Sequence, residues 1–130
     1  MKKLFIVLAL IGSMLSLNMA HADSGKIIRS AYLAGTVTKA EQAKFDTFMN
    51  ENVVPEIKKY TQLRDLKLRY VKAKDPSAPD VYMVFDMYFD SIQEMDAALA
   101  SPVRKVVQDK LAEIMPKFKG KVYHLITNQD

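Results

Sequence analysis

The chain has 130 residues, 49% of them hydrophobic and 26% charged, which suffices for one ordinary globular domain and no more. It contains no cysteine and only two histidines, so a zinc or haem site built from those ligands is not expected, nor is any other metal or cofactor. The formal charge of +4 includes Lys2 and Lys3; without them 17 basic side chains face 15 acidic ones, a balance that points to neither nucleic acid nor an acidic membrane as partner.

Residues 1–22 read as a secretory signal peptide. Lys2-Lys3 supply a basic start, Leu4 to Leu17 an apolar run, and Ala20-His21-Ala22 a small-x-small cleavage site. The run is too short to anchor the protein in a membrane, and with no cysteine there is no site for a lipid after cleavage. A single domain over residues 23–130 would remain, held by its core alone. The leader and the lack of disulfides fit a bacterial periplasm or secretion.

Lys26 to Leu33 is a first strand, closed by Ala34-Gly35. Thr38-Lys39-Ala40-Glu41 has the form of a capping box, which predicts a helix start. Phe45, Phe48, Met49, Val53 and Ile57 then recur at helical spacing. Pro55 should kink that helix or end its regular part a turn early. Asn52 lies on or beside the apolar stripe.

Leu66 to Val71 alternates as a two-faced strand, and residues 74–80 form a turn-rich loop. Val81 to Phe89 is the most apolar strand. Val81, Met83, Phe85, Met87 and Phe89 define one face, and Tyr82, Val84, Asp86 and Tyr88 the other. Ser91-Ile92-Gln93-Glu94 is a second capping box. Ser101-Pro102 restarts the helix, with Ser101 as N-cap and Val103, Val106, Val107, Leu111 and Ile114 as its stripe. Met115-Pro116 stops it, and residues 120–127 form the last strand.

The order β-α-β-β-α-β, with a split second helix, predicts an α+β ferredoxin-like fold: a four-stranded antiparallel sheet with its helices on one face. The apolar second face predicts a partner or a ligand cleft. Two sheets paired face to face in a homodimer, with a pocket between them, is the simplest arrangement.

The stretch Tyr88-Phe89-Asp90-Ser91, followed by Met95 and the run Ala97 to Pro102, resembles the strand-end FDS and the aaLaSP of the EthD-like group within the dimeric α+β barrel superfamily. Phe45-Asp46-x-Phe48, Val54-Pro55 and Leu63-Arg64 are similar to that group's FDxYY…HVP…PGLR pattern. The resemblance spans nearly all of residues 23–130 and implies a barrel shared between two protomers. Aligned without gaps, the group's histidine before Val-Pro falls on Val53, and its Pro-Gly on Thr61-Gln62. In relatives that histidine is the usual candidate for acid/base work beside the pocket. Valine can neither transfer a proton nor bind a metal.

Two residues are candidates for proton transfer. Asp86 is a carboxylate in an apolar strand, where burial would raise its pKa and make it a proton acceptor; its structural alternative is a partner such as Arg69, Arg29 or a tyrosine hydroxyl. His124, on the face of Val122 and Ile126, is either an acid/base or a hydrogen-bonded strand histidine. Tyr32, Tyr70, Tyr82 and Tyr88 could line an aromatic pocket or simply pack. Asn52 could bind a ligand or cap the helix near Pro55. The methionines read as core filler.

Three functions follow. The first is a periplasmic homodimer that holds a small hydrophobic or aromatic molecule in its barrel. The second is a cofactor-independent oxygenase, isomerase or lyase using Asp86, His124 and a tyrosine for proton transfer. The third is a purely structural dimer without a cavity.

Overall fold

The computed structural model describes residues 25–129; the signal-peptide reading lies outside them. Four strands form the frame: β1 (Ile27–Val37), β2 (Asp65–Tyr70), β3 (Met83–Phe89) and β4 (Phe118–Asn128). They lie in the order β2-β3-β1-β4, every neighbouring pair antiparallel. Between them run α1 (Gln42–Phe48) and α2 (Val54–Ile57), then α3 (Ile92–Leu99) and α4 (Val103–Ile114). This is the ferredoxin-like α+β plan, with the second helix split as the sequence predicts.

Alternation sets what each strand contributes. Leu33 and Val37 of β1, with Met83, Phe85, Met87 and Phe89 of β3, join one buried cluster. Phe45, Met49, Val53, Ile57, Val107 and Ile114 close it from the helical side. Phe45, Met49 and Val53 have no exposure at all, and each such side chain contributes about 2 kcal/mol of burial.

β1 does not stop at Gly35 but runs on to Val37, paired with β4 along its whole length. Gly35 and Gly120 face each other there with φ +154 and +150, and a Cβ on Gly35 would sit 2.0 Å from the Lys119 carbonyl oxygen. Only a glycine pair lets the backbones come this close.

The regular α-helix ends at Phe48, more than a turn before Pro55, as the proline predicts. A π-helical turn over Met49–Val53 precedes it, closed by the Val54 N–H donating to the Met49 carbonyl. The extra residue puts Pro55 in the first turn of α2, where its missing N–H leaves no gap in the ladder. The same turn buries Val53 and leaves Asn52 at the surface edge.

Of the two capping boxes, one forms a cap. Ser91 Oγ accepts the Glu94 N–H at 3.1 Å, a bond of about 1 kcal/mol. Thr38 makes no side-chain cap; Glu41 pairs instead with Lys117 Nζ at 3.0 Å. That hydrogen bond and charge hold the Glu41 carboxyl below its ordinary range. Ser101 also departs from its expected role: its hydroxyl donates 2.6 Å back to the Ala98 carbonyl, at the end of α3.

Candidate functional site: a cavity between sheet and helices

The apolar cavity of this chain lies on the helix side of the sheet, within one protomer, and not on the face expected to pair. Its volume is about 240 Å³. Ala31, Leu33, Phe85 and Met87 form its sheet wall, and Val53, Ile57, Val107 and Leu111 its helical wall. The helices leave β4 uncovered: beyond Phe118 its residues are exposed, so the cavity opens along Val122 and His124.

Val53, where the resemblance sets a histidine, is thus part of the wall. Its position points into the cavity, but its chemistry is inert.

Five polar side chains line the same cavity: Arg29 from β1, Tyr60 after α2, Arg104 and Gln108 from α4 and His124 from β4. Arg29 is only 8% exposed. Among the described residues neither arginine forms an ion pair with a carboxylate. Burial lowers the Arg29 pKa and the charge of Arg104 lowers it further, opposed only by Tyr60; an arginine stays charged all the same. Burial raises the Tyr60 phenol above its ordinary range, against the pull of Arg104 and Arg29, so it is a neutral hydroxyl able to donate. Burial first, then Arg29 and Arg104, hold His124 down to about 4. Its ring is therefore neutral at pH 7.

Asp86 lies on the opposite, outer face of the sheet. It accepts a 2.6 Å bond from Ser30 Oγ and two from Arg69, at 2.7 and 3.2 Å. Arg69, not Arg29, is its partner: Asp86 pairs across the strands with Ser30, and the next residue, Arg29, faces the other way. His124 pairs with Ala31 on the helix side. Asp86 and His124 therefore stand on opposite faces of the sheet and do not meet within a protomer.

The four tyrosines do not converge either. Tyr32 is on the outer face, stacked on Tyr123 at 5.1 Å. Tyr88 shares that face, with Lys67 Nζ 5.1 Å from its ring centre. Tyr82, expected beside Asp86, instead packs edge-on against Phe45 and donates 2.7 Å to Asp46 Oδ1. It precedes β3, so the strand's alternation does not govern it. Burial and that bond to Asp46 both raise its pKa. Tyr70 accepts 2.9 Å from Asn50 Nδ2 and, with Tyr82, borders an open polar cleft near the β2–β3 loop. Asn52 borders a separate shallow depression with Phe48 and Lys44. None of these five lines the apolar cavity.

Arg29, Tyr60 and Arg104 were not predicted as site residues. Alternation in Lys26 to Leu33 does set Arg29 with Ile27, Ala31 and Leu33, on the apolar side. Arg104 stands three residues before Val107 and seven before Leu111, beside the helix stripe. Nothing in the sequence brings the two together.

Sheet, helices and cavity define the class: a ferredoxin-like α+β domain with an apolar cavity between its layers, open along β4. The EthD-like resemblance is borne out in the fold. An ethyl tert-butyl ether D (EthD) family protein from Bacillus halodurans superposes with a TM-score of 0.64 at 17% identity, covering 80% of this chain and 99% of its own. A dimeric protein of unknown function and ferredoxin-like fold from Bacteroides fragilis gives 0.58 at 13% identity, with 81% and 97% covered. An antibiotic biosynthesis monooxygenase gives 0.56 at 12%, with 80% and 98% covered. No family model and no curated protein matches the sequence. Among the described residues no helix is long and apolar enough to cross a membrane.

Proposed function

We propose that the protein is a periplasmic homodimer that holds a small hydrophobic or aromatic molecule in the cavity between its sheet and helices. The observation that carries this reading is the apolar cavity itself, walled by both layers and open along β4. A protein of this size does not keep such a space in its core without cost, and a few polar groups converging on apolar walls are the usual make-up of a ligand site.

Dimerisation draws on two observations. Structures of this fold from Bacteroides fragilis and Thermobifida fusca are described as dimeric. Tyr123, Leu125 and Ile126 stand exposed on β4, an edge strand, and such an edge favours pairing with a second copy. Periplasmic location rests on the leader alone.

The catalytic alternative, a cofactor-independent oxygenase, isomerase or lyase, has fold-level support from the monooxygenase structure. At this cavity it has only His124 and Tyr60 to move a proton. With Val53 inert and Asp86 on the other face, binding is the better-supported activity.

Native mass spectrometry of the protein released gently from the periplasm tests the proposal. The expected species is a dimer of chains beginning at Asp23, with a retained small molecule. A monomer, or a chain still bearing residues 1–22 in the cytoplasm, overturns the corresponding part. Failure to take up any small aromatic compound overturns the binding part.

A further inference from the structure

We propose that the cavity recognises an oxyanion, a carboxylate or an enolate or phenolate oxygen, carried on a small apolar or aromatic body, with Arg29 and Arg104 as the anion-binding pair. This deepens the small-molecule reading above and rests on it.

The argument begins with cost. A buried guanidinium without a partner loses its hydration and gains nothing in return. Arg29 is over nine-tenths buried and lines the cavity, and among the described residues it has no carboxylate partner. Arg104, a second cation, lines the same cavity. Two like charges without a counter-ion destabilise each other in a site of low dielectric. The outer face shows how this chain treats an arginine whose task is structural: Arg69 is held bidentately by Asp86. On the helix side no matching anion stands among the described residues.

One oxyanion between the two guanidiniums would relieve both costs. Each guanidinium presents a fork of N–H donors that fits a carboxylate or a delocalised enolate. The Tyr60 hydroxyl, a neutral donor, is the third group available. Apart from Gln108 and the neutral His124 the other walls are apolar, so most of the ligand must be apolar too. At about 240 Å³ the cavity is below the roughly 300 Å³ at which sites for drug-sized molecules begin. A body of one or two rings is the expected limit.

Titration calorimetry of the full-sequence protein as produced, with 2-naphthoate and its neutral isostere 2-naphthamide at low salt and pH 7.5, tests the proposal. The acid is expected to bind at least tenfold tighter than the amide. Arg104→Gln should weaken the acid about tenfold and the amide less than twofold, and Arg29→Gln should do the same more strongly. Arg104 is only half-buried on its helix, so that variant keeps the test available if Arg29→Gln does not fold. Equal binding of acid and amide overturns the oxyanion inference and leaves the apolar cavity reading standing. Equal weakening of both compounds in Arg104→Gln overturns the inference as well. No binding of either compound to folded protein overturns both readings.

Discussion

The two faces of the sheet hold their charges in opposite ways. On the outer face Asp86, 5% exposed, is satisfied three times over by Ser30 and Arg69. On the helix face Arg29, buried to a similar degree, has no acidic partner among the described residues. The contrast separates two uses of a buried charge. A pair completed within the chain fixes strand register. A charge left incomplete keeps a site ready for something from outside. The residue that looked catalytic in the sequence, Asp86, belongs to the first kind. The arginine that looked like its spare partner belongs to the second.

Breaking the completed pair should have the largest effect. Asp86→Ala leaves the buried Ser30 hydroxyl without its acceptor and Arg69 without its carboxylate. Removing one member of a fully buried pair costs about 3–5 kcal/mol. Arg69 can turn to water, its side chain being 58% exposed, so a loss of about 2–3 kcal/mol is expected in urea unfolding. Naphthoate binding should survive. A variant that keeps its stability but loses ligand would reverse the roles assigned to the two faces. The complementary change is Arg29→Met. An apolar residue of similar length removes a buried unpaired charge and fills the same space. The unfolding free energy in urea should rise by about 1 kcal/mol. Destabilisation would mean that Arg29 has a structural partner after all.

Much of this was legible before the fold. Strict alternation from Met83 to Phe89 put Asp86 on one face and Met87 on the other, and cross-strand pairing agrees. Ser91 and Glu94 were readable as a cap because the relevant groups are three residues apart. Errors arose where distant contacts compete with local ones. Glu41 has the spacing of a capping box but is drawn to Lys117, 76 residues away. Pro55 marks where the regular helix ends, but the π turn that carries the chain past it has no local signal. Tyr82 sits just before its strand, where Asp46 and Phe45 decide its direction. The face of Arg29 could be read by counting, but its meeting with Arg104 depends on how α4 crosses the sheet. No period in the sequence encodes that crossing.

The smallest expected effect is also the most selective probe of the uncompensated face. His124 is held down to about 4 in the folded protein, against about 6.5 when unfolded. Between those values the unfolded chain binds a proton that the folded chain refuses. The linkage therefore runs one way: stability is full above pH 6.5 and falls as pH drops from 6.5 through 4. Because His124 is only partly desolvated, on the exposed edge strand β4, screening limits the loss to about 1 kcal/mol or less. Other groups titrate in the same window, so the quantity to measure is a difference. Urea unfolding at pH 7.5 and pH 4.5 should show a larger acid loss in the native sequence than in His124→Gln. Saturating naphthoate should shrink that difference, because an anion seated between Arg29 and Arg104 cancels the field that repels the imidazole proton. An acid loss identical in both proteins would mean that neither burial nor the two arginines hold His124 down in the folded state, and a difference that naphthoate leaves unchanged would mean that the arginines play no part in it.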